Sequence, residues 1–158
     1  MTKDYISYIR SKVGHDKVIL TFAGGILENE DGQILLQLRG DKHTWAIPGG
    51  AQELGESTLD TCIREFYEET GIQVEVLRFL NIYSNFEEIY PNGDQVQTLV
   101  CLYHVKAKHP INIESFSNTE TLKLKFFSPS EIAELVTLSD KHQLMLKEYL
   151  TDDFKLGW

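Results

Sequence analysis

Three glutamates, Glu65, Glu68 and Glu69, stand at i, i+3 and i+4 in the segment GAQELGESTLDTCIREFYEETGI, residues 50–72. At ~100° per residue of an α-helix they share one face about 100° wide. Like charges at this spacing repel, by roughly 0.2–0.5 kcal/mol per pair. A cluster of hard oxygen ligands on a rigid helix is what Mg²⁺ or Mn²⁺ requires. Such a cation offsets the repulsion and holds diphosphate oxygens. The bland alternative is a solvated acidic helix face. Arg64 is adjacent, with Asp60 and Glu68 each one turn away, and can orient a carboxylate through a charge-assisted hydrogen bond. Ahead of the helix, Gly49-Gly50 permits a tight turn and a close backbone approach to ligand or metal. Glu53 and Glu56 sit in the loop that enters the helix, as further ligands or as holders of the first ones.

A helix has to carry these groups, and its flanks are legible. Ser57 or Thr58 can cap a helix over Ser57–Thr70, and Gly71 supplies the left-handed residue just past its end. Leu59, Cys62, Ile63 and Phe66 form its apolar stripe, on a face next to the carboxylates. Before it, spacing predicts a short amphipathic helix over 3–13 through Tyr5, Ile6, Ile9 and Val13. Val18–Leu27 reads as a buried strand, Asp31-Gly32 as a hairpin turn, and Gln33–Arg39 as the return strand. Trp45–Ile47 is a short extended piece halted by Pro48-Gly49-Gly50. Strands follow over Val74–Tyr83, Asp94–Lys106 and Leu122–Phe127, then helices over Pro129–Val136 and Lys141–Leu150. That order favours a mixed sheet covered by helices on both faces.

Residues 50–72 resemble the Nudix box of the MutT/Nudix hydrolases, G-x5-E-x7-R-E-U-x-E-E-x-G-U with U apolar. Gly50, Glu56, Arg64, Glu65, Glu68, Glu69 and Gly71 fill every fixed position. Phe66 and Ile72 fill the apolar ones, Phe66 being aromatic where an aliphatic is commoner. At residue frequencies of roughly one in fifteen, seven identities arise by chance about once in 10⁸ trials. Residues from about 18 to 150 look like a complete domain of this family, so the expected fold is α/β (α+β): an α/β/α Nudix sandwich with a mixed β-sheet. The expected organisation is a single domain over 1–158, with 1–16 as an N-terminal helical extension and the box at 50–72.

The resemblance implies roles. Glu65, Glu68 and Glu69 look like the principal metal ligands, with the carbonyl of Gly50 as a backbone ligand. Glu56 and Arg64 look like the supporting pair that fixes loop and helix. Glu120, ahead of the strand ending at Phe126-Phe127, corresponds to a glutamate that in some members joins the metal site or serves as general base. The implied activity is Mg²⁺-dependent (or Mn²⁺-dependent) hydrolysis of a diphosphate linkage in a nucleoside diphosphate derivative, with ADP-ribose or a nucleotide sugar favoured. The alternatives are nucleoside triphosphates or dinucleoside polyphosphates as substrates and, in a different class, a non-catalytic nucleotide-sensing domain. A sensor would commonly have lost a box carboxylate, and here none is lost.

Other residues read more blandly. Arg39 could touch a phosphate, but a surface salt bridge is the better reading. Residues 90–94 (YPNGD) form a turn that can border the substrate pocket. Tyr83, Phe86 and Trp45 are read as packing. His15, His43, His104, His109 and His142 share no metal-ligand spacing and are read as structural or exposed; the tail ending in Trp158 is read as unremarkable. Cys62 and Cys101 sit in apolar surroundings and are read as reduced core residues.

The formal net charge of -9 and pI near 5.0 argue against stable nucleic-acid binding, which needs a basic footprint. They leave a phosphorylated small molecule open, since divalent cations invert the local charge. No apolar run approaches the ~20 residues of a membrane helix, and the N-terminus lacks a secretory pattern. The expected setting is cytoplasmic. The N-terminal helix leaves a homodimer open.

Overall fold

The computed structural model describes residues 4–158. Residue 3, where the sequence reading starts its first helix, lies outside them, as do residues 1 and 2 of the expected extension. That helix, α1, spans Tyr5–Val13 and is capped by Asp4, whose carboxylate accepts from Ser7 N–H. Strands Val18–Leu27 (β1), Ile34–Arg39 (β2), Trp45–Ala46 (β3) and Gly49–Ala51 (β4) lead to helix Thr58–Thr70 (α2). Val74–Ile89 (β5), Gln95–Ala107 (β6) and Thr121–Phe127 (β7) follow, then helices Pro129–Ala133 (α3) and Asp140–Thr151 (α4).

The strands form two sheets. One has the order β4-β1-β6-β5, mixed because β1 runs parallel to β6 while the other pairs are antiparallel. The other, β3-β2-β7, is antiparallel. The expected hairpin of β1 with β2 is therefore corrected: one bridge, Glu28 with Ile34, is what joins them outside the named strands. β6 pairs with β1 along its whole length and β4 takes its other edge at Phe22–Gly24, so β2 founds the second sheet. Pro48-Gly49-Gly50 does not simply halt a strand either, since Gly49 and Gly50 pair with Gly24 and Ala23.

Period-two alternation divides the strands between two cores. Ala23 and Leu27 of β1, with Leu35 of β2, pack on Cys62 and Phe66 of α2. Ile26, Ile34 and Leu36 face the opposite way, onto Met145 and Leu146 of α4. The α2 stripe is narrower than its spacing predicts: Cys62 and Phe66 are buried, but Leu59 is exposed. Of the two candidate caps Ser57 serves, in a capping box with Asp60, and Gly71 closes the helix at φ 72°. Both ends of the helix carrying the acidic face are thus fixed by local hydrogen bonds.

β5 continues six residues past the expected Tyr83, and α3 stops at Ala133, short of Val136. The C-terminal residues are also better anchored than their sequence suggests. Glu148 of α4 is buried and accepts from Tyr83 OH at 2.6 Å, Asn81 Nδ2 at 3.2 Å, Lys155 N–H at 2.7 Å and Trp158 Nε1 at 2.9 Å. Trp158 also pairs its backbone with Ile82 and Ser84, so the tail lies along β5. Trp45 packs edge-on against Phe127, and both cysteines are free and buried.

Candidate active site

Arg64 links loop and helix. Its Nε and Nη2 hold the two oxygens of Glu56, the second at 3.0 Å. Nη1 donates to Glu65 at 2.9 Å and to Glu68 at 3.2 Å, and Nη2 also reaches Ala51 O at 3.0 Å. A planar guanidinium suits this forked arrangement, and a lysine could not reproduce it. Glu56 further accepts from Thr61 Oγ1 at 2.8 Å and from Glu53 N–H at 3.1 Å. The Arg64 hydrogen bond, more than any other cause, draws the Glu56 carboxyl down to about 2.

Glu65 presses against β4. A Cβ at Gly50 would overlap the Glu65 carboxylate, so glycine there leaves room for that side chain's position. Glu69, one turn on, is buried and ties α2 to both sheets: its Oε2 accepts from Gly49 N–H at 2.8 Å and from Gln37 Nε2 at 2.6 Å. Gln37 in turn accepts from Thr121 Oγ1 at 2.6 Å. Burial, then the proximity of Glu65, pushes the Glu69 carboxyl up to about 8. Burial likewise raises Glu65, opposed by Arg64 and helped by Glu68 and Glu120. Glu68 is half exposed, with Arg64 as its partner.

Gln37, Gly49, Glu56, Arg64, Glu65, Glu68 and Glu69 line one cavity of about 1090 Å³, together with Gly50 and Glu120. Among the described residues no three His, Cys, Asp or Glu side chains already stand as a metal-binding group. Hard oxygen donors nonetheless fit Mg²⁺ or Mn²⁺, and the buried Glu69, held above its ordinary range with the neutral donors Gly49 N–H and Gln37 Nε2 as its hydrogen-bond partners, is an acid that a cation would neutralise.

The chain matches the NUDIX domain over residues 21–149. It belongs to the NUDIX family. Members of this family are pyrophosphatase hydrolases, and the chain is read as an enzyme of that class. A putative 8-oxo-dGTP diphosphatase of Bacillus subtilis is 29% identical, covering 84% of this chain and 77% of that protein. An ADP-ribose pyrophosphatase of Methanocaldococcus jannaschii is 27% identical, covering 94% and 78%. The match to a MutT-like protein of Streptomyces ambofaciens is 44% identical but spans 39% of this chain and 40% of that protein. Among solved structures, a MutT protein of Bacillus halodurans superposes with a TM-score of 0.65 at 30% identity, covering 87% of this chain and 85% of that one.

Within this NUDIX domain the residues singled out from sequence meet at one cavity, with three adjustments. Glu53 turns to α1, accepting from Tyr5 N–H at 2.8 Å, and so fixes the N-terminal helix. Arg39 forms a bidentate pair with Asp41, as the salt-bridge reading expects, and also lines the cavity with Tyr90. His142, read as structural or exposed, lines the cavity too. Sequence reasoning passed over Gln37, Thr121, Glu88 and Lys141. Gln37 carried one usable signal, a polar residue inside the apolar run ILLQLR, where burial demands a partner.

Proposed function

We propose that this chain hydrolyses the diphosphate linkage of a nucleoside diphosphate joined to a further group X, with Mg²⁺ as cofactor. The observation that carries the proposal is the convergence of Glu56, Glu65 and Glu68 on Arg64, in one cavity with Glu69 and Gly50. In this reading Glu65, Glu68, Glu69 and the Gly50 carbonyl hold the cation, with Mn²⁺ as a substitute. When bound, it polarises phosphoryl oxygens and lowers the pKa of a coordinated water. Arg64 and Glu56 keep the β4–α2 loop and the helix in register. The Gln37 and Gly49 hydrogen bonds orient Glu69. Glu120, exposed, lining the cavity and close enough to Glu65 to raise its pKa, joins the metal site or serves as the base that takes a proton from water.

ADP-ribose and nucleotide sugars are the first substrates to assay, in keeping with the name of the Methanocaldococcus jannaschii relative. The Bacillus subtilis relative's name brings nucleoside triphosphates into the same panel. Incubating the protein with Mg²⁺ and this panel, and identifying the products, tells which bond is cut. Glu65→Gln, Glu68→Gln and Glu69→Gln are each expected to lower kcat by about 10²-fold or more, the scale of removing one preorganised charge-stabilising group. Unchanged turnover in all three would overturn the metal assignment.

A further inference from the structure

The cavity extends well beyond the acidic face. At its other end Ile47, Val100, Leu102 and Met145 supply buried apolar walls. Two polar groups from the start of α4 share that end. His142 Nδ1 accepts from Ile47 N–H at 3.1 Å, which fixes the ring proton on Nε2. No protein group among the described residues pairs with Nε2, and the ring lines the cavity, so Nε2–H is a free donor there. Burial, then Lys141 and Arg39, hold the imidazole down at about 3, which keeps it neutral. Lys141 Nζ donates to Glu88 at 3.2 Å and to Thr98 Oγ1 at 3.4 Å, leaving its third hydrogen free. Glu88 is also held by Lys42 at 3.3 Å, so each of its oxygens already carries an ammonium donor and it acts as counter-charge.

Apolar walls with two unspent donors suit a flat heterocycle carrying acceptors and suit a sugar poorly, since hydroxyls would need acceptors as well. We infer that this end of the cavity receives the nucleobase, and that His142 Nε2–H and Lys141 Nζ select bases that present a carbonyl oxygen over those that present an amino group. A 6-oxopurine offers two neighbouring acceptors, O6 and N7, whereas adenine sets an amino donor beside N7. Against adenine, donor would face donor. The inference rests on the proposed function, and it narrows the substrate class to diphosphates of oxo-bases such as guanine or hypoxanthine.

The test compares inosine and adenosine forms of one diphosphate, IDP-ribose and ADP-ribose, for kcat/KM with Mg²⁺. In parallel, calorimetry gives the dissociation constants of IMP and AMP, which require no turnover. The native protein is expected to favour the inosine form by about tenfold or more in both measurements, the scale of one well-made edge contact. His142→Asn keeps an acceptor for Ile47 N–H but removes the Nε2 donor. Lys141→Met keeps the stem and removes the charge. Each is expected to shrink the preference to about threefold or less, with thermal melting used to check folding. A native ratio near one, a preference for adenosine, or variants that weaken both forms in proportion would overturn the inference. If no diphosphate is hydrolysed at all, the proposed function fails, and the IMP-to-AMP ratio still decides base selection.

Discussion

At the residue scale the site is governed by space as much as by charge. The Glu65 carboxylate occupies the volume a side chain at Gly50 would need. Gly50→Ala is therefore expected to displace Glu65 while leaving the fold intact, because the group that must yield is the far end of a flexible side chain. We expect a stability loss near ~1 kcal/mol, at the low end for overpacking, with kcat lower by about 10²-fold, as for small misplacements of reacting groups. Urea unfolding and steady-state kinetics on the same preparation separate the two effects; a variant with normal kcat would show that Glu65 needs no fixed seat. The glutamates and Arg64 were readable from spacing. The seat of Glu69 was not, because its partners Gln37 and Gly49 come from two strands of different sheets, at separations of 32 and 20 residues. Nothing periodic marks such a contact.

At the element scale, α2 was legible almost to the residue because everything that defines it is local: cap, stripe and terminal glycine. α4 was legible as a helix, but its functions were not. Its first turn brings Lys141 and His142 to the cavity, and its last brings Glu148 under the C-terminal tail. Burial alone would raise the Glu148 carboxyl, yet hydrogen bonds from Tyr83, Trp158, Lys155 and Asn81 hold it below its ordinary value of 4.5. A carboxyl depressed by folding contributes stability above its unfolded pKa, and that contribution is lost as pH falls through the lower, folded one. The native protein should thus lose stability below about pH 4.5. Glu148→Gln should be less stable at pH 7 and show a shallower acid dependence. Thermal melts of both proteins from neutral pH downward would expose parallel curves if the tail clasp does not titrate.

At the scale of the whole molecule, two cores on opposite faces of the strands divide the labour. The core under α2 seats the acidic helix, while the core under α4 backs the part of the cavity lined by Lys141 and His142. Phe66→Ala is expected to cost ~3–5 kcal/mol and Leu146→Ala ~2–5 kcal/mol in urea unfolding. They should differ in function. With α2 loosened, Phe66→Ala should weaken Mn²⁺ uptake under conditions where the protein is still folded, whereas Leu146→Ala should leave it close to native. Equal losses of Mn²⁺ affinity in titration calorimetry would mean that the two cores do not act separately. Among the described residues no helix is long and apolar enough to cross a membrane.

The sequence by itself determined the candidate chemistry-bearing residues, the helix that bears most of them and the family. Each of these is written in short-range spacing: 3.6-residue periodicity, a capping box, a glycine after the last turn. Only the tertiary structure decided how β1 and β2 part into separate sheets, how Gly49-Gly50 becomes a strand beside β1, which partners hold Glu69, and that His142 and Trp158 have partners at all. Those choices depend on which buried polar groups and strand edges find each other across the chain, and a hydrogen bond between distant residues imposes no pattern on the residues between them.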